Sequence, residues 1–301
     1  MSGAPHIFDR QLMLARRERA AAHAGRHDFL LARVAEDFAE RLSIVKRRFE
    51  AGLNIEAHHG LLSRRLRELP NVGELMDADP SMRLLARCQG PVQWADPEEL
   101  PFEPGRFDLA VSGLSLHLVN DLPGVLIQLR QALKPDGLLL AALLGGETLK
   151  ELREAWLVAE AEITGGASPR VAPFADVRAM GGLLQRAGFA LPVVDCDTVN
   201  VTYESPLHLM REIKGMGASN MLVERRRTPV TRQLLLRAAE VYAERFALPG
   251  GRIPATFEII TLTAWVPHDS QPKPLRPGSA TTRLSDALGV RETTLKSQSL
   301  S

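Results

Sequence analysis

Two histidines and a carboxylate crowd one turn, Leu53-Asn-Ile-Glu-Ala-His-His-Gly60, and single acids stand in later turns at Asp79, Asp96 and Glu147. Glu56, His58 and His59 are side chains that bind metals. Adjacent histidines in a turn point apart, however, and the spacing supplies no third ligand, so no metal site is expected. His117 closes a short apolar run. An imidazole there, near half-titrated at neutral pH, could take a proton from an acceptor; stacking or shielding is the plainer role. Glu147, in Gly-Gly-Glu-Thr148, could grip a guanidinium with both oxygens, or complement a helix start, an effect of about 0.3–1 kcal/mol. Asp79 could accept from both hydroxyls of a ribose, or cap the next helix, which Ser81 could do equally well. Asp96 could accept from a purine amino group, or form a turn before Pro97. Arg225-Arg-Arg227 reads as a solvated turn.

The elements that must position these residues alternate. Helical spacing runs from Asp28 to Lys46, with Phe29, Leu30, Val34, Phe38, Leu42 and Val45 on one side. The spacing then predicts strands at Gly52–Ala57, Gly73–Asp77, Val92–Trp94, Phe107–Leu114 and Gly137–Leu144. Helices fall between them at Leu61–Leu69, Ser81–Arg87 and Leu122–Leu133, with Lys134-Pro-Asp-Gly137 as a turn. Such alternation implies right-handed βαβ units and a mainly parallel sheet, which binds ligands outside the carboxyl ends of its strands. Later segments read as helices at Glu147–Glu162 and Phe174–Ala187 and a strand at Leu191–Tyr203 with one solvated face. Helices at Ser205–Gly215 and Thr231–Ala247 and a strand at Ala255–Val266 follow. This divides the chain into an N-terminal helical segment (1–47), an α/β domain (48–267) with a helical insertion at about 205–248, and a proline-rich tail (268–301).

Composition narrows the function classes. The 301 residues carry 37 Lys+Arg against 36 Asp+Glu, a net charge of +1, with 2 Tyr, 3 Trp and 10 Phe. A basic surplus for phosphate binding is lacking, and so are the aromatics of a base-stacking platform, so no nucleic-acid partner is expected. Cys88 and Cys196 lie too far apart for a CxxC site and fit a reducing compartment. No apolar run approaches the roughly 18–20 residues of a membrane span. The Arg-rich segment Arg10–Arg26 is interrupted by Glu18, with Asp9 and Asp28 at its ends, unlike a mitochondrial presequence. A soluble amphipathic helix is the plainer reading of it.

Asp-Pro-Ser81, Ala-Asp96 with Leu-Pro-Phe102, Phe-Asp-Leu109, Leu-Lys-Pro-Asp-Gly137 and Arg-Ala-Gly-Phe189 occur in the order found in class I S-adenosylmethionine (SAM) methyltransferases. The chain resembles that superfamily. The resemblance implies a Rossmann-like, seven-stranded, mostly parallel sheet and SAM as cofactor. It puts Asp79 at the ribose, Asp96 by the adenine, and the turn residues Asn54, Glu56, Ala57 and Gly60 in the cofactor loop, with His117 and Glu147 as candidate catalytic groups. Where the superfamily usually has an acid, Asn54 stands; where it usually has glycines, Glu56 and His58 stand. A Cβ at a position needing positive φ costs roughly 1 kcal/mol or more.

Further stretches are similar to the branch that includes the mitochondrial complex I assembly factor 5 proteins: Ile7-Phe-Asp-Arg10, Ser112–Pro123, Gly145–Arg153, Ser168-Pro with Pro173-Phe, Gly215–Asn220, Pro254-Ala-Thr256 and Gly278-Ser-Ala280. That resemblance implies a respiratory complex I assembly factor hydroxylating or methylating an arginine, with an iron–sulfur subunit as partner. A more distant similarity is to the malonyl carrier-protein methyl-ester-forming enzymes, which implies methylation of a small molecule or acyl-carrier ester. A catalytically silent assembly chaperone is the third reading, made credible by the altered first turn. With Ile-Phe-Asp-Arg starting at residue 7, a bacterial cytoplasmic homologue is expected rather than a mitochondrial matrix protein. Asp79, Asp96, Glu56 and Glu147 would make the rim of the cleft acidic despite the near-neutral total, favouring a cationic acceptor.

Overall fold

Strands that are buried on both faces form the centre of the molecule, as near-continuous apolar runs demand. In this computed structural model, which describes residues 6–272 and Gly289, β4 (Phe107–Gly113) is buried at every position. Its neighbours are β1 (Phe49–Ile55) and β5 (Leu133–Leu144), with β2 (Val72–Asp79) and β3 (Val92–Trp94) extending the sheet on one side. On the other side lie β7 (Ile253–Trp265) and β6 (Ala190–Tyr203). The order is β3-β2-β1-β4-β5-β7-β6. The first five strands run parallel, while β7 is antiparallel to both β5 and β6. The expected seven-stranded, mostly parallel sheet is therefore present.

Helices cover both faces. On one side α2 (Phe29–Ser43), α6 (Lys150–Thr164) and α9 (Arg232–Phe246) bring Phe38, Leu42, Trp156 and Tyr242 into a core that includes Leu109, Val111 and Leu140. On the other, α5 (Leu122–Ala132) and α7 (Val177–Arg186) bury Leu126, Leu129 and Leu184 against Ala110, Leu139 and Ile260. Two short helices, α3 (Leu61–Leu66) and α4 (Met82–Leu85), follow β1 and β2, and α8 (Pro206–Gly215) opens the insertion. At the front, α1 (Arg10–Ala20) lies outside both cores, with Met13 and Arg17 as its buried residues.

Several bounds shift from the sequence expectation, as at β1, which starts at Phe49 rather than Gly52, and α7, which starts at Val177 rather than Phe174; β5 and α6 differ more tellingly. Lys134–Gly137 is not a turn between helix and strand but the start of β5. Asp136 adopts φ +61°, and the pairing with β4 slips between Phe107↔Leu133 and Leu109↔Leu138. The turn chemistry is absorbed as a bulge, a usual way to accommodate extra residues in a strand. The helix expected from Glu147 starts at Lys150, after Leu149 at φ +54°. The solvated face expected of β6 is more pronounced: none of its positions is fully buried, and Asp195 and Asp197 pair with Arg41 and Arg33 of α2. The described residues up to Pro267 form one compact unit and those from His268 another. Most of the proline-rich tail, with Gly278-Ser-Ala280, lies outside the described residues.

Candidate functional site

The carboxyl ends of β1 and β2 meet at a buried ion triad. Glu56 follows β1 and Asp79 ends β2, and both are withdrawn from solvent. Between them lies the guanidinium of Arg17, reaching down from α1. Its Nη1 donates to Glu56 Oε1 at 2.9 Å and its Nη2 to Asp79 Oδ2 at 2.9 Å. The backbone N–H of His58 also donates to Asp79 Oδ2, at 3.0 Å, and that of Ser81 to Oδ1, at 2.8 Å. Both oxygens of Asp79 are thereby engaged. Burial pushes the carboxyls of Glu56 and Asp79 above their ordinary range, with Arg17 opposing the shift. Arg17 is held protonated by the two acids, against its burial.

The turn that carries these groups is backbone-strained. Glu56 and His58 sit at φ +52° and +54°, the left-handed region that non-glycine residues occupy at a cost of about 1 kcal/mol or more. The two histidines diverge. His59 turns to α2, where its Nε2 lies 3.0 Å from Asp28 Oδ2. His58 turns inward, its Nδ1 3.4 Å from Arg17 Nη2 and its Nε2 3.0 Å from the Gly113 carbonyl and 2.8 Å from Ser115 Oγ. Arginine can only donate, so Nδ1 accepts and Nε2 carries the proton. Burial and Arg17 keep this imidazole neutral. His58 therefore donates from Nε2 and is not a base toward Ser115. Among the described residues no group of three or more His, Cys, Asp or Glu side chains is placed to hold a metal ion.

A cavity of about 130 Å³ opens beside the triad, lined by Met13, Arg17, His58, Ser115, His117 and Met221 among others. His117 is thus close to the triad, yet it is not half-titrated at neutral pH as the sequence suggested. Burial drives its pKa down to about 3. Its Nδ1 accepts from the Leu144 N–H at 3.4 Å and its ring tilts against Phe174, with centroids 5.6 Å apart.

The remaining candidates disperse. Asn54 is buried behind the turn and donates to Ser63 Oγ at 2.7 Å and Asp77 Oδ1 at 2.8 Å. Ala57 is buried, and its N–H bonds the Ala78 carbonyl at 3.0 Å. Gly60 caps α3 at φ +74°, where an added Cβ would come within 3.1 Å of the Cα of Cys88. Gly60→Ala is expected to lower stability by about 1 kcal/mol or more; a thermal melt superimposable on the unsubstituted chain would contradict this. Asp96, after β3, is held by Arg10 at 2.8 Å, and the same oxygen accepts from the Glu98 N–H at 2.9 Å. Glu147 is exposed, 3.1 Å from Lys150 Nζ, and is not among the residues lining the cavity. The anticipated acidic rim is drawn into ion pairs instead: Glu56 and Asp79 share Arg17, Asp96 shares Arg10 with Glu98, and Glu147 pairs with Lys150.

Sequence reasoning missed Arg17 and Arg10. Positions seven apart on a helix share a face, and Arg10, Met13 and Arg17 form that stripe. Two of its three members are charged, so an apolar-periodicity search passes over it.

SAM is the cofactor implied by the superfamily, and the arrangement described here does not fit it. The acid assigned to the ribose has no free oxygen, Glu56 and Arg17 fill the space between the strand ends, and the cavity is smaller than the roughly 300–1,000 Å³ of pockets for organic ligands.

The sheet order and the turns at its carboxyl edge define a class I methyltransferase fold. A family described as "Methyltransferase domain" matches residues 53–141. In solved structures the same fold recurs in a protein of Bacillus halodurans C-125, with a TM-score of 0.54 at 16% identity, covering 77% of this chain and 98% of that one. The YcgJ protein of Bacillus subtilis has a TM-score of 0.53 at 14% identity, covering 78% and 99%. Closer similarity is to "Arginine-hydroxylase NDUFAF5, mitochondrial". The Danio rerio protein is 38% identical over 287 residues, 93% of this chain and 89% of its own length. The Homo sapiens protein is 38% identical over 283 residues, 92% and 81%. A "Malonyl-[acyl-carrier protein] O-methyltransferase" of Halorhodospira halophila is 34% identical over 255 residues, 81% and 84%. The chain belongs to the methyltransferase-fold family that contains the NDUFAF5 arginine hydroxylases.

Proposed function

We propose that this protein is a complex I assembly-factor-type enzyme that modifies an arginine of a protein partner, an iron–sulfur subunit, and that the modification is hydroxylation rather than SAM-dependent methylation. The observation that carries the choice is the Arg17–Glu56–Asp79 triad. With α1 seated it closes the place a methyl donor would need, while the similarity to arginine hydroxylases runs over 93% of the chain, far beyond residues 53–141. Hydroxylation replaces a C–H bond by C–OH; with dioxygen as the oxidant one oxygen atom enters the product and the other leaves as water, which takes two electrons and two protons from a co-reductant supplied from outside this chain. The chain's contribution is to bind and orient the acceptor beside a cavity whose two imidazoles, His58 and His117, stay neutral. Neutral, the two imidazoles add no positive charge to a cavity that Arg17 already lines.

The test is mass spectrometry of complex I subunits from cells of the source organism with and without this gene. Loss of an oxygen-mass adduct on an arginine is the expected result. Loss of a methylene-mass adduct would establish methylation instead. Unchanged adducts with complex I failing to assemble would leave the chain as a chaperone without chemistry.

A further inference from the structure

Helix α1 meets the sheet through charge. Of its residues only Met13 and Arg17 are buried, and its inner face sends Arg17 to the acids after β1 and β2 and Arg10 to the acid after β3. A third contact comes from Glu18, which lies 2.7 Å from Ser81 Oγ and 3.2 Å from Arg83 Nε. These are the turns at which a parallel sheet of this type holds the ribose and base of a nucleoside. The chain thus answers its own binding site with guanidinium groups.

We propose that α1 is an internal stopper: Arg17 and Arg10 occupy the carboxylates that a nucleoside cofactor would use, and such a cofactor gains access only when α1 is released. Glu56 is the residue that makes the stopper fit. At a position where the superfamily usually has glycine, its side chain fills the turn and supplies the second carboxylate for Arg17. The seating is incomplete, since Glu56 Oε2 and Arg17 Nε are both buried without a hydrogen-bond partner. The outer pins are solvent-accessible, with Glu18 and Asp96 about 28% and 38% exposed and Arg83 more so. Ion pairs of that kind are weakened by salt, whereas an apolar interface would not be. Inside these outer pins the helix is held by the buried Arg17 pairs and by Met13, which packs with Phe8, Met221 and Leu222, so its release uncovers the triad and that small apolar cluster.

The experiment is calorimetry of the full chain with S-adenosylhomocysteine, read together with hydrogen exchange over residues 10–20. Glu56→Gly combined with Arg17→Gln removes one charge of each sign and so keeps the buried balance. Arg10→Gln combined with Glu18→Gln loosens the helix from outside and leaves the triad intact, guarding against a fold defect in the first variant. At least tenfold tighter binding than the unsubstituted chain is expected for the first pair and a smaller gain for the second, with exchange over residues 10–20 rising as ligand binds. The proposal is overturned if the unsubstituted chain binds as tightly as both variants with its helix equally protected. It is equally overturned if neither folded variant binds more tightly. Either result leaves the adduct measurement on arginine to stand or fall separately.

Discussion

Arg17→Met is expected to destabilise the protein by about 3–5 kcal/mol, the usual consequence of stripping one partner from a buried charge cluster. Methionine keeps most of the volume, so the loss reports charge rather than a cavity. Glu56 and Asp79 would then face each other in a site already closed to water. The pH dependence has a definite sign. Burial raises the folded-state values of both acids, and Arg17 is the cation that holds them down. A raised carboxyl binds protons more tightly in the folded state. Its stabilisation is present below the unfolded values, about 3.9–4.3, and is lost as pH rises through the folded values. Without Arg17 those folded values climb further, so the deficit of the variant is largest at neutral pH and shrinks on acidification. Urea unfolding of both proteins at neutral and mildly acidic pH measures it. A deficit below about 1 kcal/mol at neutral pH, the range of exposed pairs, would mean the triad is not buried as described.

A second large effect is expected where the sequence departs from its superfamily. Asn54→Asp restores the usual acid, yet here it should cost about 3 kcal/mol or more. The Asn54 amide donates to Asp77 Oδ1 at 2.8 Å, and Ser63 Oγ and Arg67 complete the shell around that carboxylate. All of Asn54, Ser63 and Asp77 are buried. An aspartate at 54 loses the donor and sets two carboxylates together, so one must hold a proton well above its ordinary range. Acidification should recover the variant, because the protonated acid regains a donor toward Asp77. Equal stability of the Asn54→Asp chain at neutral pH would refute the assignment of Asn54 to the Asp77 network.

Much of the fold was legible because burial writes itself in apolar periodicity. The runs at Phe107–Leu114 and Gly137–Leu144 became central strands, and Phe38 and Leu42 mark the face of α2 that enters the core. Lys134–Gly137 misled because proline and glycine announce a change of direction without saying whether a loop or a bulge provides it. The site was legible in its members and not in their pairing. Asp79 ends β2, as alternation of strand and helix placed it, but its partner sits on a helix whose buried stripe is mostly charged. Resemblance puts Asn54 in the cofactor loop, whereas its side chain turns to the neighbouring strand because Asp77 offers an acceptor there. Nor does spacing reveal that His117 lies deep enough to lose its basicity.

Helix α1 is held by partners that all lie later in the chain. Arg17 reaches Asp79 across 62 positions and Arg10 reaches Asp96 across 86, and the strand-like bridge that fixes the start of the segment joins Phe8 to Leu222. During vectorial synthesis residues 10–20 leave the ribosome well before any of these partners exist. The pairs that cover the ends of β1, β2 and β3 need only Glu56, Asp79 and Asp96, whereas the bridge that fixes the start of the segment waits for Leu222 in the insertion. The order in which the chain is written thus makes the helix's ionic partners early and its anchor late.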